Sequence, residues 1–235
     1  MKEKVMDTFN KLATVYAHSV DTKSLYNSEY ERPAMLSELP EDLTGQLILD
    51  AGCAAGWYSE QLLNRRANVI ATDISAEMVS ATKRRIGDRA HVLQHDIEIK
   101  FPLQDQTFDY IISSLTLHYI RDWNHTFQEF KRILKPNGTL LFSVHHPFTD
   151  IRLLPDYNYF QTELIVDQWN KEGKVYEVPF YRRSLQSIIN TTLQYFAIER
   201  MIEPSPTEKF KEQSLHKYNH LLNNPAFLII KARQK

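Results

Sequence analysis

The sequence holds one cysteine, Cys53, in 235 residues, so no intrachain disulfide and no cysteine-based metal cluster can form. Glycine is scarce as well, with 6 residues where average usage would give roughly 16. No run approaches 18 consecutive apolar residues, which leaves no candidate for a spanning helix. The N-terminus, MKEKVMDTFNKLATVYAHSV, is charged and mixed and lacks the apolar stretch of a signal peptide. Neither sign of charge dominates: 28 basic against 29 acidic side chains give a formal net charge of -1. Nothing global therefore draws the chain to nucleic acid or to an anionic membrane. Repeats and low-complexity segments are lacking too. What is present is ordinary for a soluble domain, with 43% hydrophobic and 24% charged residues. A cytoplasmic protein with no membrane span is the expectation, and a chain this long buries enough surface for a core without staples.

Hydrophobic periodicity orders the chain. Val5, Phe9, Leu12, Val15 and Tyr16 recur at helical spacing, predicting an amphipathic helix over about 3–18. Short apolar runs predict strands at 46–50, 68–73, 90–96, 108–114 and 139–146. Helical patterns separate them at 57–66, 75–86 and 123–136, the second with Ser75 as cap and the third stopped by Pro136. Strands alternating with helices of about ten residues specify right-handed βαβ units and a parallel sheet. Its ligand belongs at the strand C-termini, beside the first strand. Residues 149–195 break the rhythm and are rich in aromatics (Tyr157, Tyr159, Phe160, Trp169, Tyr176, Phe180, Tyr181), with a helical pattern only at 181–196. Two further strands follow, at 197–204 and 223–234, as a hairpin-like end to the sheet.

The stretch LILDAGCAAGWYSEQLL, residues 47–63, reads as strand, tight loop and helix. Side chains from Gly52 to Gly56 are small or absent, so the backbone can approach a ligand at a helix N-terminus. Asp73 ends the second strand 21 residues beyond Gly52, where an acid accepts hydrogen bonds from ribose hydroxyls. Asp96 ends the third strand, and the spacing Asp50–Asp73–Asp96 is 23 and 23. The loop is G-x-A-x-G, neither the G-x-G-x-x-G of a dinucleotide site nor the Gly-Lys-Ser/Thr of a phosphate loop. Three acids in a row suit a cationic, nucleoside-like ligand whose amine, ribose and exocyclic amino group are all donors. Any one of them, taken singly, is as readily a helix cap or turn former.

These residues resemble the class I S-adenosylmethionine-dependent methyltransferases, in particular the small-molecule, ubiquinone/menaquinone-type branch (methyltransferase type 11). The resemblance covers about 46–148. LDAGCAAG is similar to the first motif, ATDIS to the second, HDIEIKFPLQDQTFDYIISSLTLHYIRDW to the stretch reaching the fourth strand, and FKRILKPNGTLLFSVHHP to the fifth. It implies an α/β fold: a doubly wound, seven-stranded, mostly parallel Rossmann-like sheet of order 3-2-1-4-5-7-6 with an antiparallel last strand. A single methyltransferase domain over 1–235 follows, with a helical cover (1–45), a cofactor-binding core (46–148), an acceptor-side insertion or lid (149–195) and C-terminal strands (196–235). The implied cofactor is S-adenosyl-L-methionine. Ala51, Gly52, Cys53 and Gly56 would lie against its methionine part, with Asp50 orienting the ammonium. Asp73 would hold the ribose, Ile74 and Met78 would flank the adenine, and Asp96 and the Ile97 N–H would meet its polar edge. Ser114 and Leu115 would line the sulfonium, and Tyr16 would close over the cofactor. No metal is implied. Ala54 departs from the usual middle glycine, a change that costs some backbone freedom and room but need not exclude the cofactor if φ is negative. Asn137 replaces another usual glycine, and Asn tolerates the left-handed region.

Methyl transfer from a sulfonium is an in-line displacement, for which positioning supplies roughly 7–11 kcal/mol. Candidate bases follow strands four and five: His118, His145 and His146, with His118 and His146 put forward as catalytic. Each is as readily a pocket-shaping or backbone-bonded residue. The aromatic stretch suits a planar or apolar acceptor, or equally the core of an added subdomain. Arg182 and Arg183 suit an acidic acceptor group, or a solvated helix face. The expected partner is a small-molecule methyl acceptor, with the chain a monomer or homodimer. Nucleic acid is not the expected partner, since Ser113-Ser114-Leu115-Thr116 stands where adenine-N6 enzymes carry D/N-P-P-Y/F. The competing readings are a tRNA-modifying methyltransferase and a non-catalytic cofactor-binding protein.

Overall fold

The computed structural model describes residues 1–20, 23–154 and 156–235. Nine strands form among the described residues: β1 (Leu47–Ala51), β2 (Asn68–Asp73), β3 (His91–Gln94), β4 (Phe108–Ser113), β5 (Leu134–His145), β6 (Glu163–Lys171), β7 (Lys174–Arg182), β8 (Phe196–Ile202) and β9 (Phe227–Gln234). The α-helices are α1 (Lys2–Val15), α2 (Arg32–Ser37), α3 (Trp57–Asn64), α4 (Ala76–Ile86), α5 (Asn124–Ile133), α6 (Pro147–Asp150), α7 (Leu185–Tyr195), α8 (Glu208–Gln213) and α9 (Leu215–Leu221). Seven strands make one sheet in the order β3-β2-β1-β4-β5-β9-β8, which is 3-2-1-4-5-7-6 in that sheet's own count. In this sheet β9 runs antiparallel to both neighbours, and every other pairing is parallel. The expected architecture and order are the observed ones.

Side-chain alternation along the strands builds two cores. Leu49, Ile111, Leu140, Phe142 and Ile230 face α5 and α7, where Phe127, Phe130, Ile133 and Ile188 meet them. Ile48, Val69, Ile112, Leu141 and Ile229 point to the opposite face, against Met35 of α2 and Tyr58 and Leu62 of α3. Helices thus cover both faces, as a parallel sheet requires.

Several boundaries differ from the pattern reading: β5 already starts at Leu134, β9 only at Phe227, and the helix expected over 181–196 starts at Leu185 because its first residues complete β7. α5 ends at Ile133, not 136, because the residue before Pro136 is driven out of the helical region and Leu134 instead pairs with Phe108. The N-terminal helix runs on past Val15 as a π-helical segment, Tyr16–Val20, and a second such segment spans Asn27–Glu31. π-Helical turns are rare and cluster at functional sites. The aromatic stretch contains a β-hairpin, β6–β7, closed by Glu172 and Gly173 at φ 52° and 77°. Two positive φ values identify a type I′ hairpin turn. The hairpin packs on α1, where Thr8 Oγ1 donates to the Glu177 carbonyl (3.0 Å) and Lys4 pairs with the Glu177 carboxylate (2.8 Å).

Candidate active site

The loop after β1 is held from within. Gly52 has φ 85°, and a Cβ there would lie 2.3 Å from Thr116 Oγ1. Ala54 sits at φ 47°, in the left-handed region and not at the negative φ considered for it. Its N–H, donated to Asp73 Oδ2 (2.9 Å), and its carbonyl, which accepts from Thr82 Oγ1 (2.7 Å), hold it there. Asn137, at φ 63°, uses the left-handed tolerance expected of it. The N–H groups of Gly52 and Cys53 donate to the Thr72 carbonyl (2.8 and 2.9 Å), and that of Gly56 to Cys53 (2.9 Å). A phosphate cradle presents free N–H groups. Here four of the loop's five are spent inside the protein, so the loop suits a ligand without phosphate.

A cavity of about 530 Å³ opens at the C-terminal ends of the parallel strands. This lies within the usual range for small-molecule sites. Its wall includes Tyr16, Gly52, Cys53, Asp73, Ile74, Asp96, Ile97, Ser114 and Leu115, nine of the expected binding residues. The other four stand behind it. Asp50 is buried and accepts from Ser59 Oγ (2.6 Å), Ala51 and Met78 are fully enclosed, and Gly56 is the N-cap of α3. Met78 points from α4 toward Leu12 and Ala13 of α1, because the helix turns its apolar stripe to that neighbour.

Burial sets the electrostatics of this wall. Asp73 accepts from the backbone N–H groups of Ala54 and Ser75 (both 2.9 Å), yet loss of water pushes its pKa up to about 6. Asp50 rises to about 7 by burial, opposed by the Ser59 hydrogen bond and reinforced by the charge of Asp73. Asp96 is paired with Lys2 Nζ at 2.5 Å.

Several wall residues carried no sequence signal. Arg32 lies over the Trp57 ring, 4.1 Å from its centroid, and both line the cavity. Lys171 of β6 also reaches the wall, beside Trp169, to which the aromatic stretch of the sequence points. Behind it lies Glu31, a fully buried carboxylate. It accepts from Tyr58 Oη (2.8 Å), Ser114 Oγ (2.8 Å) and Ser143 Oγ (2.6 Å), so it ties α3, β4 and β5 together beneath Leu115. Burial raises its pKa, and the three hydroxyl donors hold it back. Leu115 itself stands at φ 47°, and Ser143 Oγ accepts from its N–H (3.0 Å).

The three histidines separate. His118 is buried off the cavity with neither ring nitrogen hydrogen-bonded to a described residue, and burial pushes its pKa well below the ordinary value. His146 also stands off the wall: Nδ1 caps α6 by accepting from the Phe148 N–H (3.1 Å), and Nε2 meets Glu203 (2.9 Å). Its ring is spent on holding the chain after β5. His145 is the one of the three that lines the cavity. Arg182 and Arg183 are buried rather than solvated; Arg182 donates to the carbonyls of Asn158, Tyr159 and Gln161, and Arg183 to that of Ile120.

Carboxylates at the end of β2 and just beyond β3, a small-residue loop with four of its five N–H groups already spent, and Arg32 on the wall form a fitting set for S-adenosylmethionine. Acids beside the ends of β2 and β3 would suit ribose hydroxyls and an adenine amino group, and the Arg32 guanidinium would suit an amino-acid carboxylate. With this strand order they define a class I S-adenosylmethionine-dependent methyltransferase. Residues 49–142 match the type 11 family of the methyltransferase domain. A Haemophilus influenzae protein without assigned activity is 32% identical over 227 residues, covering 88% of each chain. A malonyl-[acyl-carrier protein] O-methyltransferase of Yersinia pestis is 34% identical over 145 residues, which is 60% of this chain and 50% of that protein. The structure of an S-adenosylmethionine-dependent methyltransferase from Mesorhizobium loti superimposes with a TM-score of 0.70 at 26% identity, over 87% of this chain and 97% of that one. The chain belongs to this methyltransferase family, and S-adenosylmethionine is its cofactor. No described helix is long and apolar enough to cross a membrane.

Proposed function

We propose that the chain methylates a small-molecule acceptor held in the same cavity as the cofactor. One observation carries this: the cavity is continuous from Asp96, just beyond β3, to His145, at the end of β5. Those strands are four steps apart in the sheet, roughly 19 Å at the usual strand spacing. A nucleoside anchored near β2 and β3 leaves the β4–β5 end for the acceptor. When bound, the cofactor supplies an electrophilic methyl on a sulfonium. Asp73 and Asp96 hold the nucleoside, and Arg32 meets the amino-acid carboxylate. Ser114, Leu115 and Thr116 form the floor between donor and acceptor. Phe9, Tyr16 and Trp169 cover the cavity and keep out water, which leaves alignment as the main work. The O-methyltransferase names of relatives from Yersinia pestis and, for magnesium-protoporphyrin, Rhodobacter capsulatus support transfer to oxygen. Methyl-labelled cofactor offered with a panel of small phenols and acids, and separately with bulk tRNA, tests the reading. Label in a small molecule is expected, and label in tRNA alone overturns it.

A further inference from the structure

We propose that His145 and Asp150 act as a general-base pair, and that the acceptor presents an acidic hydroxyl, a phenol or enol, which loses its proton as it is methylated. This rests on the small-molecule reading above and names its substrate class.

The ring of His145 is fixed on three sides. It stacks on His118 (centroids 3.9 Å apart, planes at 21°) and on Phe227 (6.0 Å, 24°), and the Phe180 ring meets it edge-on at 4.6 Å. Asp150, buried in α6, places Oδ1 3.5 Å from Nδ1. The one-turn helix holds Asp150, whose N–H donates to the His146 carbonyl (3.1 Å). Among the described residues Nε2 bonds to no protein group, while the residue itself lines the cavity. An imidazole that lines a ligand cavity, with a buried acid beside one ring nitrogen and the other left without a protein partner, is the arrangement of a general base, and such contacts commonly tighten only with substrate bound. The charged or titratable groups around it are His118, Asp150 and Arg183, the last buried just after β7. Burial keeps His118 neutral, so it sets no second positive charge against His145 when that ring takes up a proton.

The acceptor class follows from the need for a base. A carboxylic acid is already ionised near neutral pH and requires none. A phenol, at a pKa near 10, lies within reach of an imidazole. Tyr26, Leu115 and Phe227 line this end of the cavity and suit a planar ring. In the step, the acceptor O–H bond breaks and its proton passes to His145 Nε2. The O–CH3 bond forms as the S–CH3 bond breaks, its electron pair remaining on sulfur, which becomes a neutral thioether. Asp150 balances the imidazolium, and the proton then leaves to solvent.

The test uses the full chain, methyl-labelled S-adenosylmethionine and parallel panels of phenols, enols and carboxylic acids. Phenols or enols are expected to take label. His145→Gln is expected to lower kcat by about 10²–10⁴-fold and to erase the acidic limb of the pH–rate profile. It should leave the thermal shift given by S-adenosylhomocysteine unchanged, which shows the fold and cofactor site intact. Asp150→Asn, at a positioning residue, is expected to lower kcat with the acceptor KM unchanged. Label in carboxylic acids alone, no label in any phenol or enol, or a His145→Gln rate within about threefold of wild type, far below the 10²-fold floor for a lost base, overturns the proposal. Label in tRNA and in no small molecule overturns the small-molecule reading beneath it.

Discussion

Gly52→Ala tests the geometry of the loop most sharply, because two separate costs meet at one methyl. At φ 85° the new side chain occupies the left-handed region, worth about 1–2 kcal/mol. Its Cβ would also lie 2.3 Å and 2.4 Å from Thr116 Oγ1 and Cγ2, an overpacking that costs about 1–3 kcal/mol. Loss of unfolded-state entropy returns about 0.4–1 kcal/mol. The net is a destabilisation near 3 kcal/mol, or roughly 6–12 °C in Tm for a chain of this size. Thr116→Ala removes the two nearest atoms and leaves only its own Cβ, 2.8 Å away. The double variant Gly52→Ala/Thr116→Ala is therefore expected to recover about 1–2 kcal/mol relative to the sum of the single changes, while the φ cost persists. Urea unfolding of the four proteins measures this. Additivity within about 0.5 kcal/mol would refute the contact between loop and Thr116 on which the cavity floor depends.

Other consequences are equally open to measurement. Asp50 titrates at about 7 when folded and near 3.9 when unfolded, so the native state binds more protons between those values. Stability contributed by Asp50 is therefore greatest below pH 4 and is lost as pH rises through 7. Asp50→Asn is expected to flatten this decline in cofactor-free protein, and an unchanged slope in Tm against pH would contradict it. Glu31→Ala strands three hydroxyl donors, and a loss of about 3 kcal/mol or more is expected in urea unfolding; a loss under about 1 kcal/mol would show that Glu31 does not tie the strands. Asp73→Asn removes a charged acceptor from the wall, worth about 1.5–3 kcal/mol, so calorimetry should find cofactor bound roughly 10- to 150-fold more weakly. Affinity within twofold would remove Asp73 from the ribose.

The sheet was legible because each buried strand is a short apolar run and each crossover a helix-period segment, and chirality then leaves few topologies. The binding loop and the acids at 73 and 96 were legible for a related reason: glycine scarcity makes Gly52 and Gly56 conspicuous, and strand ends fix where acids point. The β6–β7 hairpin was not. Its inward face carries Ile165, Asp167, Trp169 and Lys171 while Leu164 and Val166 are exposed, so polarity does not alternate. Its turn is Glu-Gly, without the Asn or Asp that normally announces a type I′ turn. His145 and His146 are adjacent in sequence, and only the break from β5 into α6 turns one to the cavity and the other to Glu203. Glu31 was invisible because its three partners lie 27, 83 and 112 residues away.

The proposed seat of the cofactor in this cavity is Asp73. Thermal unfolding with S-adenosylhomocysteine measures it directly. At a hundredfold excess over Kd the ligand stabilises the fold by about 2.7 kcal/mol, which is roughly 5–10 °C here. That shift is expected for the wild type, falling to about half or less in Asp73→Asn at the same ligand concentration. No shift in the wild type, or an equal shift in both proteins, would contradict it.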